Sequence, residues 1–151
     1  MPAKLPSLSA LLLGVLLAGC AGMQMQEAAR AANEEAAANG SPFRWEARDT
    51  KDGTVLRRVL VDLPVGPTSA DAQLQADILA VIAKSERTQN RPAPRVLQVR
   101  LLPNRREIWV VASATPDEGL AYIVLMRPSS RGGTDIMVNG PTPFTLGARA
   151  K

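Results

Sequence analysis

The stretch VLQVRLLPNRREIWVVASATPDEGLAYIVLMR, residues 96–127, carries three strand signals separated by two short turns. Val96–Leu102, Glu107–Ala114 and Leu120–Arg127 are rich in β-branched and large apolar residues, and Pro103-Asn104-Arg105 and Pro116-Asp117-Glu118-Gly119 are turn sequences. Connections this short join antiparallel neighbours, because a parallel pair needs a crossover of a dozen or more residues. Period-2 alternation puts Leu120, Tyr122, Val124 and Met126 on one face of the last strand and Ala121, Ile123 and Leu125 on the other, so both faces are apolar. In the strand before it, Ile108, Val110 and Ala112 suit a helix-covered face. Trp109 and Val111 then fall on the opposite face beside Glu107 and Ser113.

Working outward, a further strand signal near Thr134–Val138 follows the loop Pro128–Gly133, and the tail Gly140-Pro141-Thr142-Pro143 reads as irregular. Upstream, Thr88–Pro94 is a polar, proline-rich connection. It follows a helix predicted over Ala70–Arg87, in which Leu74, Ile78, Val81, Ile82 and Ser85 recur at helical spacing, Thr68 or Ser69 caps the start and Asp71 favours the first turn. Phe43, Trp45 and Ala47 alternate with charged residues, and Asp52-Gly53 turns that strand into a second over Thr54–Leu63. The order β-β-α-β-β-β-β predicts an α+β fold: an antiparallel sheet of five or six strands with one amphipathic helix across one face. One helix covers one face only, so Trp109 needs other cover: the first hairpin, the tether before it, the carboxyl-terminal tail or another protein.

The chain has 151 residues, 46% of them hydrophobic, with one cysteine and no histidine. Without imidazole there is no Ser-His-Asp triad, Cys-His pair or His-ligated metal, and a single thiol forms no intrachain disulfide. The cysteine is Cys20. It follows a start carrying Lys4 and the uncharged run Leu8–Ala18, too short to span a bilayer but of the length found in secretory signal peptides. The run ends Leu17-Ala18-Gly19-Cys20, which resembles the lipobox of bacterial lipoproteins.

That resemblance covers the first 20 residues. It implies diacylglycerol, of palmitate type, on the Cys20 thiol and cleavage between Gly19 and Cys20, and Ala21 after the cysteine resembles the pattern sorted onward to the outer membrane. One acyl chain anchors marginally, and two or three anchor stably, at about 0.8 kcal/mol per buried CH₂. The expected organisation is a cleaved signal peptide over 1–19, a lipidated tether over 20–42 and one domain over 43–151. The tether is rich in Ala, Glu and Gln and has no Leu, Ile, Val or aromatic residue to bury, so it reads as either a helix or a disordered stalk, with Asn39-Gly40 as a helix cap and Ser41-Pro42 as a stop.

Within the domain no catalytic set is well placed. Lys84 and Ser85 are helix neighbours pointing about 100° apart. Asp117-Glu118 lie in a turn, Gly132-Gly133 in a hairpin loop, and Glu46 and Glu107 read as exposed strand residues in surface ion pairs. From Arg87 onward basic residues outnumber acidic ones ten to four, and Arg91, Arg95, Arg100, Arg105 and Arg106 cluster around one connection and strand. The expected function is that of a non-enzymatic lipoprotein of the cell envelope, held at the outer membrane facing the periplasm. It has no metal or cofactor beyond the covalent lipid and meets an envelope protein or anionic envelope polymer, not nucleic acid, through Trp109, Val111, Arg100, Arg105 and Arg106. The alternatives are a cell-wall enzyme using Glu46 or Glu107, with Trp45, Trp109 or Tyr122 lining a cleft, and a carrier of a small ligand or lipid between helix and sheet.

Overall fold

The structure, a computed structural model, describes residues 8–146, with side chains from Ala21 onward. The chain divides into two compact units, Met1–Val59 and Leu60–Lys151. The first hairpin thus groups with the helix that precedes it.

In the first unit, α1 (Leu8–Ala38) leads into β1 (Phe43–Thr50) and β2 (Gly53–Leu60). The helix ends as its sequence dictates. Gly40 takes a positive φ of 63°, its N–H bonds to Ala37 O at 3.1 Å, and Ser41 N–H bonds to Ala36 O at 2.8 Å, which together satisfy the last carbonyls. The tether is therefore helical and, against expectation, packed against β1. Ala29 is buried, and the Asn33 amide accepts from Trp45 N–H at 2.7 Å and donates to Trp45 O at 2.8 Å. One side-chain amide thus occupies the place where a neighbouring strand's peptide group would pair. The absence of Leu, Ile, Val and aromatic residues from the tether is offset by this pair of hydrogen bonds.

In the second unit, α2 (Ala72–Thr88) precedes β3 (Val96–Leu102), β4 (Arg106–Ala112), β5 (Glu118–Pro128) and β6 (Thr134–Thr145). These four strands pair antiparallel, each with the next. The α+β class and the element order are those expected, preceded by α1, and an all-antiparallel arrangement holds for β3 to β6. β6 is longer than its signal. The Gly140–Pro143 segment, expected to be irregular, lies inside it, and a register shift opposite Ala121/Ile123 absorbs the mismatch. Gly140 makes this possible: its φ is 144°, and a Cβ there would stand 2.7 Å from Ala121 O.

Ile78 and Ile82 of α2 are fully buried against Trp109, Val111, Leu120, Tyr122, Val124 and Met126. The helix-covered face of β4 is accordingly Trp109 and Val111, not Ile108 and Val110, because a shift of one residue in the assignment exchanges the two faces of a strand. Ile108, Val110 and Ala121 are fully buried too, on the opposite face.

Two expectations follow. Asn33→Ala removes both bonds to Trp45, worth together about 1–2 kcal/mol, and should speed amide exchange across residues 24–37 about tenfold while leaving β4 and β5 protected. In the turn 103–105, Asn104 and Arg105 both sit at positive φ, 62° and 55°. Arginine has no side-chain compensation for that conformation, so Arg105→Gly should stabilise the second unit by about 0.5–1 kcal/mol, read as a rise in midpoint temperature.

Candidate functional site

Sequence alone makes Glu107 look like an exposed partner in a surface ion pair. The structure buries it, leaving 2% of its surface accessible. As a β4 residue of the same parity as Trp109 it points under the start of α2, where four donors meet it. Ser69 N–H and Ser69 Oγ donate to Oε1 at 2.7 and 2.9 Å, and Thr68 Oγ1 and Trp109 Nε1 donate to Oε2 at 2.7 and 2.9 Å. Thr68 and Ser69 are thus not the helix cap. That role falls to Asp71, whose side chain accepts from Leu74 N–H at 2.8 Å. Burial pushes the Glu107 carboxyl up, but the bonds from Ser69, Thr68 and Trp109 outweigh it and hold it below the usual range.

The second buried carboxylate, Glu86, was not singled out by its sequence context at all. It ends the stripe Ile78, Ile82, Glu86 on α2, four residues apart each time. Arg91, just past the helix, donates from Nε to Oε2 and from Nη2 to Oε1, both at 2.8 Å, and Tyr122 Oη donates to Oε1. The Arg91 bonds hold the Glu86 carboxyl below its usual value against the opposing effect of burial, and the Arg91 guanidinium is pushed up in return. Burial, then the bond to Glu86, raises the Tyr122 phenol, which therefore remains the donor. The spacing of Glu86 with Ile78 and Ile82 is a signal that identifies a core position, and Arg91 five residues on supplies the partner.

The sequence-predicted site residues are scattered. Trp109 is 3% exposed and Val111 fully buried, so neither presents a partner surface. Arg100 is held inside the second unit, donating from Nη1 to Leu63 O at 2.6 Å with Asp62 at 3.7 Å, and its Nε is buried with no hydrogen-bond partner among the described residues. Arg105 is exposed at the turn tip and Arg106 half-buried, bonding Pro103 O at 3.4 Å. Glu46 is exposed and, with Arg30, Asn33 and Glu34, lines a shallow groove between α1 and β1. Tyr122 is buried in the core. Gly19 and Cys20 lie within α1, and the Cys20 side chain is outside the described residues. Among the described residues no helix is long and apolar enough to cross a membrane. Comparison of the chain with models of protein families, with curated proteins and with solved structures finds no match.

Every oxygen of the two buried carboxylates accepts at least one hydrogen bond from the protein itself. Both carboxyls titrate lower in the folded than in the unfolded chain, so the unfolded chain binds more protons in acid. Their stabilisation is complete above the ordinary glutamate range, about pH 4.5, and is lost as the pH falls through the lowered folded values. Thermal midpoints followed by circular dichroism should therefore be flat from neutral pH to about pH 5 and fall below it. Glu107→Gln sets an amide N–H₂ against the indole N–H or the Ser69 donors and should cost about 2–3 kcal/mol at neutral pH, with a shallower acid limb than the parent.

Proposed function

We propose that this chain is a lipid-anchored lipoprotein of the bacterial cell envelope, a non-enzymatic accessory or assembly factor whose folded part binds another envelope component. The observation that carries the reading is the only cysteine of the sequence standing at the end of Leu17-Ala18-Gly19-Cys20, after Lys4 and the run Leu8–Ala18. Lipidation converts that cysteine into a membrane anchor facing the periplasm, at the outer membrane by the residue that follows it. Support for binding rather than catalysis comes from the two buried carboxylates. Of the two glutamates a cell-wall enzyme would use, Glu46 and Glu107, the second has its oxygens occupied by Thr68, Ser69 and Trp109, and the buried Glu86 is likewise taken up by Arg91 and Tyr122. A glutamate-based cell-wall enzyme needs an accessible carboxyl, and Glu107 is not one.

With Trp109 and Val111 in the core, the surface left for a partner from the predicted set is the turn carrying Arg105 and Arg106. Its charge favours an acidic protein face or an anionic envelope polymer. Cys20→Ser should abolish metabolic labelling with palmitate and leave an uncleaved or soluble product in fractionated cells. Retained label in that variant overturns the anchor. Crosslinking of the anchored protein should give a discrete adduct that Arg105→Glu with Arg106→Glu weakens, and recovery of free monomer alone at native expression overturns the accessory role.

A further inference from the structure

α1 runs along the first hairpin in a defined direction. Asn33 sits at Trp45, and eleven residues earlier a Cβ built on Gly22 would stand 3.4 Å from Thr54 Oγ1. Thr54 directly follows the turn Thr50–Gly53, so the amino-terminal part of α1 lies at the tip of the hairpin. Gly22 is two residues beyond Cys20, which is about 3 Å of helix rise. Whatever surface holds Cys20 therefore meets the hairpin tip.

Large apolar residues stand exposed at that end of the first unit. Met23 is 65% exposed, Met25 39%, Val55 40% and Leu56 36%; these are four of the seven large apolar residues most exposed among the described residues. All four flank the Gly22–Thr54 contact in sequence. Charge there is mixed, with Lys51, Asp49 and Asp52 in or beside the turn, and the Asp49 carboxylate accepts from Thr54 Oγ1 at 2.7 Å. The attraction available is thus apolar insertion rather than binding to anionic headgroups.

We infer that the hairpin tip and the start of mature α1 form a membrane seat: Met23, Met25, Val55 and Leu56 insert into the headgroup–acyl boundary of the bilayer that holds the lipid on Cys20. The occupant is a lipid surface, because the patch adjoins the anchoring residue along the chain and across the Gly22–Thr54 contact. This inference rests on the reading of Cys20 as the lipid anchor. It adds that the protein stands on its membrane at a fixed point, with the α1 axis leading away from it. From Gly22 to Ala38 the helix climbs about 24 Å.

In the lipidated protein Cys20 carries no free thiol, so an introduced cysteine takes a thiol-reactive environment-sensitive dye alone. Leu56→Cys and, separately, Met23→Cys are labelled in the full lipidated chain. Each is reconstituted in phosphatidylethanolamine–phosphatidylglycerol vesicles whose acyl chains bear nitroxide quenchers. Both dyes should shift to the blue and lose about half their emission or more, whereas a dye on Ala38→Cys, at the far end of α1, should lose none. Exchanging the other three apolar residues for glutamine should remove the quenching without releasing the protein from vesicles. The same samples are weighed by mass spectrometry for the lipid. Lipid present with no quenching at Leu56 or Met23 overturns the seat and leaves the anchor standing; quenching at Ala38 equal to that at Leu56 also overturns it; lipid absent overturns the anchor reading and the seat with it.

Discussion

The Glu107 carboxylate is the contact on which the second unit turns. It stands on β4, 38 residues beyond Ser69 in sequence, and ties the strand to the entry of α2 through both oxygens. Burying a charge without partners costs several kcal/mol, so the geometry of Thr68 and Ser69 is not optional once Glu107 points inward. Nor is the orientation of β4. With Glu107 inside, Trp109 and Val111 are inside as well, the indole N–H completes the carboxylate's set of donors, and register across to Tyr122 and Leu120 fixes the face of β5.

Glu86 does the same at the other end of α2. The helix is thus pinned at its start by a strand carboxylate reaching up to its entry loop and at its end by a helix carboxylate reaching down to Tyr122 of β5. Between them Ile78 and Ile82 supply apolar burial, which gives affinity without direction. The two carboxylates supply direction, since each accepts only where its donors stand, and breaking either leaves charge or donors buried without partners. An apolar helix on an apolar sheet face slides at little cost. This one has two positions at which sliding is penalised.

Where the sequence was legible, the reason was local. Apolar and β-branched content ahead of the turn Pro103–Arg105 marked β3 to the residue, and Asn39-Gly40 marked the end of α1, because strand content and cap are decided within a few positions. The face of β4 was not legible, because charge argued that Glu107 belongs outside, and three of the four donors that permit it inside lie on a loop nearly forty residues away, the fourth on Trp109 of the same face. The tail of β6 was misread because Gly140 and Pro141 signal irregularity locally, while the ladder to β5 simply absorbs them in a bulge. The docking of α1 was missed because apolar content was taken as the measure of adhesion, and Asn33 adheres by mimicking a peptide. Of the candidate site, the lipobox-like stretch Leu17–Cys20 is a purely local pattern, whereas the reading of Trp109 and Val111 as partner residues depended on the face of β4, which buries both.

The two helices are consequently held by different physics, and the difference bears on what each unit is suited to do. α2 combines buried isoleucines with buried carboxylates, so it leaves only when the second unit unfolds. α1 beyond Cys20 has one buried alanine and one asparagine amide, and an isolated alanine-rich helix of this length is marginal in water. Its order is borrowed from the strand edge that Asn33 occupies. In return the strand gains a cover for an edge that would otherwise offer unpaired backbone groups to any passing strand. A segment built this way is stiff while docked, because 1.5 Å of rise per residue leaves no slack, and Asn33 is where its side-chain hydrogen bonds to β1 are made. The length of the helix thus sets a fixed height between its start and the strands, and the pair of hydrogen bonds at Asn33 sets its orientation on them without a broad apolar interface.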